Sequence, residues 1–222
     1  MTAVTSIEST ELPPKKSAFT VVFRWCKRQP LGAISAAVLV GIILVAAFAD
    51  LVSPYDPELN DFANMLTAPG AEFILGTDQF GRDVLSRIIY GAQTALFVGF
   101  TAAFFGSTIG LILGVTSAYL GGLFDLILQR ILDVFMAFPS IIIALAIVAT
   151  FGTGTQNVIL AITIPMIPNC ARVVRSSALQ VREIPYIDAA RSLGYSHARI
   201  VLRHMAPNVM APYLICLLYT SD

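Results

Sequence analysis

Long uncharged stretches of apolar residues alternate with charged segments along the chain. A helix needs about 20 apolar residues to cross the hydrocarbon core of a membrane. Several stretches reach or approach that length, and charged or turn-forming residues separate them. The pattern predicts an all-α protein, a polytopic transmembrane helical bundle with four complete spans and part of a fifth. The predicted spans are residues 31–50, 94–120, 126–150 and 155–171, with the start of the fifth at 209–219.

The first apolar stretch, Leu31 to Ala49, carries no charge over 19 residues. Lys27 and Arg28 precede it and the small-x-small triplet Ala47-Phe48-Ala49 ends it, as in a cleaved signal peptide. The stretch and the polar lead of about thirty residues are both long for such a peptide, so an uncleaved anchor is favoured over a signal sequence. Residues 1–30 are then a polar tail.

The second stretch carries glycines at a spacing of four. Gly106, Gly110 and Gly114 form a doubled GxxxG pattern, which lets another helix approach closely. The alternative is that glycine is simply more frequent in membrane helices than in soluble ones. The spacing favours a helix-packing face.

The third stretch combines charges with a proline. Pro139 predicts a kink or local opening of the helix. Asp125, Arg130 and Asp133 lie within or beside the stretch, where a charge costs about 2.5 to 3.5 kcal/mol at the membrane centre. Arg130 and Asp133 are three residues apart and can pair on one helical face. These charges are either structural or gating groups inside the membrane, or they lie in the headgroup layer.

Composition supports a membrane protein and charge sets its orientation. Hydrophobic residues make up 56% of the 222 residues, charged ones only 13%, and the mean hydropathy is +0.77. The tail 1–30 contains five lysines and arginines, loop 50–90 has seven acidic residues against two arginines, and 172–203 has six arginines. Positive segments stay on the cytoplasmic side. The prediction is a multi-pass membrane protein with a cytoplasmic N-terminus.

Residues for enzyme chemistry are few. Cys26, Cys170 and Cys216 lie far apart with no CxxC pair, and the two histidines, His197 and His204, have no nearby carboxylate cluster. The sequence has no GxxxxGK[ST] phosphate loop. We therefore expect no enzyme activity, no metal and no cofactor in this chain.

Residues 183–208 predict a helix, a turn and a second helix. Pro185 suits a first helical turn, and Gly194 suits the left-handed residue after a helix end. Ser196 can cap the next helix, which Pro207 would close.

The first of these two helices predicts a shallow apolar stripe. Tyr186, Ala189, Ala190 and Leu193 follow the i, i+3, i+4, i+7 spacing. Two alanines at the centre keep the stripe shallow, and arginines surround it. Such a helix is suited to docking in a groove on a partner protein.

The same segment resembles a known family. Asp188-Ala189-Ala190, then Gly194, then Pro207 resemble the EAA loop of the membrane subunits of ATP-binding-cassette importers, with Asp188 where glutamate is usual. The run Arg203-His204-Met205-Ala206-Pro207-Asn208 is similar to the end of that loop in the dipeptide and oligopeptide branch.

A second block agrees with this resemblance. Residues 75–87, Leu-Gly-Thr-Asp-Gln-Phe-Gly-Arg-Asp-Val-Leu-Ser-Arg, resemble the hallmark that follows the first span in the same branch, although Gln93 and Ala95 depart from it. The resemblance covers about 27–212. Within the block, each acid lies four residues before an arginine, which predicts a surface helix with i, i+4 ion pairs; contact with substrate or a binding protein is the alternative. The pairs are Asp78 with Arg82 and Asp83 with Arg87.

The resemblance implies a mechanical role. In such importers the EAA loop is a coupling helix that docks on a cytoplasmic ATPase, so a coupling loop is expected at 172–208, with Asp188, Ala189, Ala190, Gly194 and Pro207 as docking residues. The implied partners are a second homologous permease, two ATPase subunits and an extracytoplasmic solute-binding protein. The implied substrates are dipeptides or oligopeptides, or related ones such as nickel.

The family ordinarily has six spans, whereas this sequence stops inside the fifth and residues 219–222 do not continue the pattern. This predicts a C-terminally truncated copy in a prokaryotic inner membrane.

Two alternatives come from other classes of protein. Residues 189–203 also imitate a DNA-binding helix-turn-helix, but they lack a third helix and lie between two apolar stretches, so no nucleic acid is expected. An ion-coupled carrier would use the charges in the third stretch. Transport without ATP would support that second alternative.

Overall fold

A computed structural model describes residues 27–218. Most of the predicted tail 1–30 and the predicted anomalous end 219–222 lie outside the described residues. In the described part, the ordered elements are helices, apart from an isolated antiparallel bridge between Thr77 and Asp83. The helices are α1 (Pro30–Ala47), α2 (Ala49–Val52), α3 (Val84–Leu120), α4 (Gly122–Met136), α5 (Ser140–Phe151), α6 (Thr155–Arg182), α7 (Pro185–Ser192), α8 (His197–Arg199) and α9 (Met210–Leu218), with a short 3₁₀ turn at Phe62–Asn64.

The predicted all-α, polytopic class is confirmed. Among residues 27–218, four helical stretches are long and apolar enough to cross a membrane, and the pair α4 and α5 passes the same test as one bent unit. The four are Pro30–Ala47, Val84–Leu120, Thr155–Arg182 and His197–Leu218. The described part of the chain divides into two compact units, one ending at residue 93 and the other beginning at residue 94.

Helix α3 starts ten residues before the predicted second span, at Val84 instead of residue 94. Residues 84–93 contain one charge and no proline, so nothing in them ends a helix. Asp83 caps the new start, because its Oδ2 accepts hydrogen bonds from the Ser86 N–H (2.7 Å) and hydroxyl (2.6 Å). At about 1.5 Å per residue, α3 is longer than the hydrocarbon core is thick.

The predicted third span is two helices. Helix α4 ends at Met136, α5 begins at Ser140, and they meet at 83°. The predicted kink at Pro139 is therefore confirmed, while a single continuous helix over 126–150 is not formed. The bend follows from the proline, which donates no N–H and pushes the residue before it out of the helical region.

Helix α6 continues past residue 171, where the fourth span was predicted to end, and reaches Arg182. Its added turns bury Ala171, Val174, Ala178 and Val181, which follow a helical spacing. The arginines in this part did not end the helix because they lie on its other faces. Arg172 and Arg175 pair there with acidic residues of α4.

The second unit packs α3 against α6 through the three predicted glycines. A Cβ built on Gly106 would lie 3.1 Å from the Met166 Cβ, and one on Gly110 would lie 2.7 Å from the Cys170 Cβ. On Gly114 it would lie 2.6 Å from the carbonyl oxygen of Ala171. Real Cβ atoms essentially never come as close as the last two. The two backbones therefore approach to a distance that side chains would prevent.

In the first unit, the predicted surface helix around Asp78 is a loop. Asp78 pairs with Arg82 at 2.9 Å as expected, but α3 begins only at Val84. Asp83 is buried and bonds Ser86, and the ion pair predicted for Asp83 and Arg87 is replaced by one between Arg87 and Asp78. The Asp83 carboxylate is turned to the Ser86 amide and hydroxyl, and Arg87 pairs with Asp78 instead.

The Asp78 carboxylate organises this loop. Its Oδ1 accepts from the Phe80 N–H (2.8 Å) and the Arg82 N–H (3.0 Å), and its Oδ2 accepts from the Arg82 guanidinium (2.9 Å). Partial desolvation acts to raise the pKa of Asp78, but these hydrogen bonds outweigh it and lower the pKa to about 2. Gly81 permits the turn at φ +78°.

Candidate functional site

The 183–208 segment folds as its sequence predicts up to the second helix. Pro185 is the first residue of α7, after an extended Ile184. Gly194 follows the helix end with φ +74°, a conformation that costs glycine little. Ser196 caps the next helix by accepting a hydrogen bond from the Arg199 N–H at 3.4 Å. The predicted helix, turn and cap are confirmed.

The buried face of α7 differs from the predicted stripe. Ile187 and Ala190 are the buried residues of this helix, and both belong to the core of the second unit. Tyr186 and Leu193 are exposed, Leu193 to 72%. The prediction put one apolar stripe against a partner, but Ile187, which that stripe leaves out, turns a neighbouring face that includes Ala190 into the protein's own core. An eight-residue helix can bury only one narrow face.

The surface that α7 presents outward is therefore small and mixed in character. Asp188 is exposed and pairs with Arg191 at 3.1 Å, while Ala189 and Leu193 supply apolar area. A Cβ on Gly194 would meet nothing within 4 Å, so that turn is open to a partner. Ala190 is absent from this surface because it is buried. Close packing of α7 on the core accounts for a small residue at that position.

Pro207 does not end the second helix. Helical structure continues from His197 to Leu218, through π-helical turns at Ile200–Met205 and 3₁₀ turns at Ala206–Val209. The predicted fifth span, with its start at residue 209, therefore begins twelve residues too late. A proline in a regular α-helix clashes with the carbonyl four residues before it, and the wider turns preceding Pro207 avoid that geometry.

The carbonyl of His204 is satisfied by side chains at this irregular point. The Tyr186 hydroxyl of α7 donates to it, and Asn208 Nδ2 donates to it at 2.6 Å. Asn208 Nδ2 also donates to the Tyr186 hydroxyl at 2.9 Å. Desolvation raises the pKa of Tyr186, so the phenol stays a donor through the neutral range. The irregular turns thus tie α7 to the helix that follows.

The charges of the third stretch are paired. Arg130 and Asp133 lie 3.7 Å apart, as predicted, but Asp133 has a closer partner in Arg172 at 2.6 Å. Asp125 accepts from Arg175 through both carboxylate oxygens, at 2.6 and 2.5 Å. Ser117 also donates to Asp125. Two ion pairs therefore join α4 to α6, and a third lies within α4.

Sequence reasoning missed the arginines of this network. The predicted coupling loop includes Arg172 and Arg175, although acids lie at residues 125 and 133 of the preceding apolar stretch. A signal was present: opposite charges in two neighbouring apolar stretches are expected to find each other, because an unpaired charge there is costly. Arg182 is a further case, since its Nη1 donates to the Ala118 carbonyl at 3.0 Å.

A cavity of about 370 Å³ lies between α5 and α6. Its wall is largely apolar, with Ser140 and Asn169 as its polar side chains. It lies next to the break between α4 and α5, where residues 137–139 are exposed. Within residues 27–218, no group of three or more histidine, cysteine, aspartate or glutamate side chains is placed to hold a metal ion.

Comparison with known proteins agrees with this architecture. The family model described as the inner membrane component of binding-protein-dependent transport systems matches residues 106–221. The model for the N-terminal transmembrane domain of oligopeptide transport permease C matches residues 17–69.

Individual relatives are similar over most of the chain. A putative peptide transport system permease protein of Brucella suis biovar 1 (strain 1330) is 39% identical over 220 residues, which cover 99% of this chain and 74% of the relative. A dipeptide transport system permease protein of Alkalihalophilus pseudofirmus is 38% identical, over 91% and 69% of the two chains. A glutathione transport system permease protein of Shigella flexneri serotype 5b is 41% identical, over 87% and 64%.

The structure is a polytopic helical bundle with a short surface helix between two spans. The family model for the inner membrane component matches more than half of the chain, which defines a membrane component of a transport system. The chain belongs to the family of binding-protein-dependent transport system inner membrane components. It is accordingly a multi-pass inner-membrane permease of an ATP-binding-cassette importer. ATPase and binding-protein partners are general to such systems.

Proposed function

We propose that this chain forms half of a translocation path for dipeptides, oligopeptides or glutathione, and that its 183–208 segment docks on a cytoplasmic ATPase subunit. The named relatives support the substrate class, since each of their names refers to a peptide, a dipeptide or glutathione, itself a tripeptide. Nickel has no such support here. The observation that carries the docking is the outward surface of α7, where exposed Leu193 and Ala189 lie beside the open Gly194 turn.

The broken helix supports a place on the translocation path. Non-helical backbone at membrane depth is tolerated only where protein covers it or where it lines a water-filled space. Residues 137–139 are exposed in this chain and lie beside the cavity between α5 and α6. A second homologous permease and the path between the two subunits would provide both conditions. The assembly would then contain two permeases, two ATPases and a solute-binding protein.

The two other candidate classes fit less well. In an ion-coupled carrier, a carboxylate must be free to bind the ion, but Asp125 and Asp133 are both occupied by arginines. In a DNA-binding helix-turn-helix, the second helix must be free to enter a groove. Here its residues Ile200, Met205 and Val209 are buried in the protein's own core.

The docking is tested by placing a charge on the proposed surface. Leu193→Arg should abolish copurification of the ATPase subunits with the permease in detergent, while membrane insertion and yield stay unchanged. The matched control is Leu59→Arg, at an exposed leucine of the 50–90 loop, which is proposed to lie on the other side of the membrane. Copurification that survives Leu193→Arg would refute the docking surface.

Orientation is tested separately. Charge distribution supports a cytoplasmic N-terminus and an external 50–90 loop. Single cysteines introduced at exposed positions Leu59 and Leu193, in a variant lacking the native cysteines, should react with a membrane-impermeant maleimide on opposite faces of the membrane. Labelling of both from the same face would overturn the topology.

A further inference from the structure

Tyr119 lies at the C-terminal end of α3, where contacts from the 183–208 segment converge. It is the penultimate residue of that helix and is 6% exposed. Its hydroxyl is 2.8 Å from Nδ1 of His197 in α8. The Arg191 guanidinium of α7 lies over its ring, with Cζ 5.0 Å from the ring centroid. One side chain is thus held by both helices that flank the Gly194 turn.

A third contact reaches the same end of α3. The Ala118 carbonyl, one of the last carbonyls of the helix, accepts a hydrogen bond from Arg182 at the end of α6. Terminal helix carbonyls have no partner within their own helix, so an arginine there also interacts favourably with the helix dipole. Contacts from Arg182, Arg191 and His197 therefore meet within two residues of α3.

The mechanical properties of α3 make this end significant. The helix contains no proline over its 37 residues, and prolines are the main cause of sharp helix kinks. A displacement at its C-terminal end therefore meets no proline hinge between Tyr119 and the glycines that contact α6. The glycines that contact α6 lie in the same helix, so its movement also acts on that packing face.

We propose that Tyr119 is the positioning residue that transmits movement of the 183–208 segment to α3. When the docked segment shifts, His197 and Arg191 carry the Tyr119 side chain with them, one through a hydrogen bond and the other through its stacked guanidinium. This inference rests on the proposed docking function. It adds the route by which docking would move a membrane helix.

The test uses the complete transporter in proteoliposomes, with ATP hydrolysis and dipeptide uptake measured on the same preparation. Tyr119→Phe removes the hydrogen bond and keeps the ring, and should lower the uptake per ATP by roughly two- to tenfold, the range expected for one lost hydrogen bond. Tyr119→Leu removes both contacts and should lower the ratio further. Copurification of the ATPase subunits should stay intact in both variants.

Tyr55→Phe is the matched control, since the Tyr55 hydroxyl also makes one hydrogen bond, to the Glu72 carbonyl at 3.1 Å, but makes it within the first unit. It should leave the uptake per ATP unchanged. If Tyr119 had only a structural role, its variants would lower the protein yield, ATP hydrolysis and uptake together. The uptake per ATP would then stay unchanged.

A double-mutant comparison keeps the proposal testable if Tyr119→Leu fails to fold. His197→Ala alone should lower the uptake per ATP as much as Tyr119→Phe does. The double variant that combines these two changes should lower it no more than the worse single variant, because both changes remove the same contact. Additive losses, or an unchanged ratio in Tyr119→Phe, would overturn the inference. If Leu193→Arg leaves the ATPases bound, the docking proposal itself has failed, which is a distinguishable result.

Discussion

The Asp125 carboxylate accepts two hydrogen bonds from the guanidinium of Arg175, fifty residues later in the chain. This two-pronged pair joins α4 to α6, and the Ser117 hydroxyl of α3 donates to the same carboxylate. Three helices therefore meet at one acid. The relative positions of α3, α4 and α6 near Asp125 therefore depend on these polar contacts as well as on apolar packing.

Removing the Asp125 charge should destabilise the protein more than removing an exposed one. Asp125 and Arg175 have side chains that are 17% and 27% exposed, so Asp125→Asn leaves a partly buried guanidinium without its counter-charge. We expect the free energy of unfolding to fall by about 1.5 to 3 kcal/mol. Thermal unfolding in detergent, followed by circular dichroism, measures the change.

Arg130→Ala is the control for that prediction. Arg130 is 77% exposed and lies 3.7 Å from Asp133, a geometry worth at most about 1 kcal/mol. Equal effects of Asp125→Asn and Arg130→Ala on the unfolding temperature would show that the network contributes nothing beyond surface pairing.

A methyl group at Gly110 should force α3 and α6 apart. The Cβ of Gly110→Ala would lie 2.7 Å from the Cys170 Cβ, and relief of this overlap is expected to cost about 1 to 3 kcal/mol. Gly99→Ala in the same helix meets nothing within 4 Å and should stabilise slightly, since alanine favours helix. Both variants can be compared by their unfolding temperatures. An unfolding temperature of Gly110→Ala equal to or higher than that of Gly99→Ala would contradict the close approach of α3 and α6.

Substitution of Gly194 should depend on backbone conformation instead of on side-chain size. The position has φ +74° and open space around a Cβ, so only residues that tolerate the left-handed region fit. Gly194→Asn should retain most transport, whereas Gly194→Val should lower it by about five- to thirtyfold, because the left-handed conformation costs a β-branched residue about 1 to 2 kcal/mol. Insertion into the membrane should be normal in both variants. Equal transport by the two would mean that the turn is not strained.

The Asp78 loop should keep its order on acidification until unusually low pH. The pKa of Asp78 is lowered from 3.8 to about 2 in the folded protein, so its contribution to stability is fully present above about 4 and is lost as the pH falls through about 2. Hydrogen exchange of the Phe80 and Arg82 amides, corrected for intrinsic rates, should show protection retained at pH 4 and lost near pH 2.

Asp78→Asn supplies the control for the acid prediction. It removes the titrating group while keeping a side-chain oxygen that can accept from the two amides. Protection in this variant should be lower at pH 7 and nearly constant with pH. A wild-type profile that declines already between pH 6 and 4 would place the transition on another group.

Local features of the 183–208 segment were predictable because they depend on few neighbouring residues. Pro185, Gly194 and Ser196 each act through backbone geometry or one nearby hydrogen bond, and each performs its expected role. The face of α7 was not predictable in the same way. Whether Ile187 or Leu193 is buried depends on where the core of the second unit lies, and that core is assembled from residues up to about ninety positions apart.

The predicted helix ends were wrong where a charged residue was expected to end a membrane span. Arg172, Arg175 and Arg182 indicate a loop only if they must face water, and in the structure each has a partner supplied by α3 or α4. Pro207 misled for a related reason. The side chains of Tyr186 and Asn208 satisfy the carbonyl that its irregular turns release, so the helix continues.

The sequence alone establishes that this is a helical membrane protein with a kink at Pro139. The linear order of apolar residues, charged residues, prolines and glycines carries that information, and it also predicts the orientation in the membrane. Such properties depend on transfer to lipid and on local dihedral preferences, which act residue by residue. Pairing of Asp125 with Arg175, burial of Ala190 and convergence of three contacts on the end of α3 were decided by tertiary structure. Partners distant in sequence become neighbours only when helices pack, and no local pattern specifies which charge will meet which.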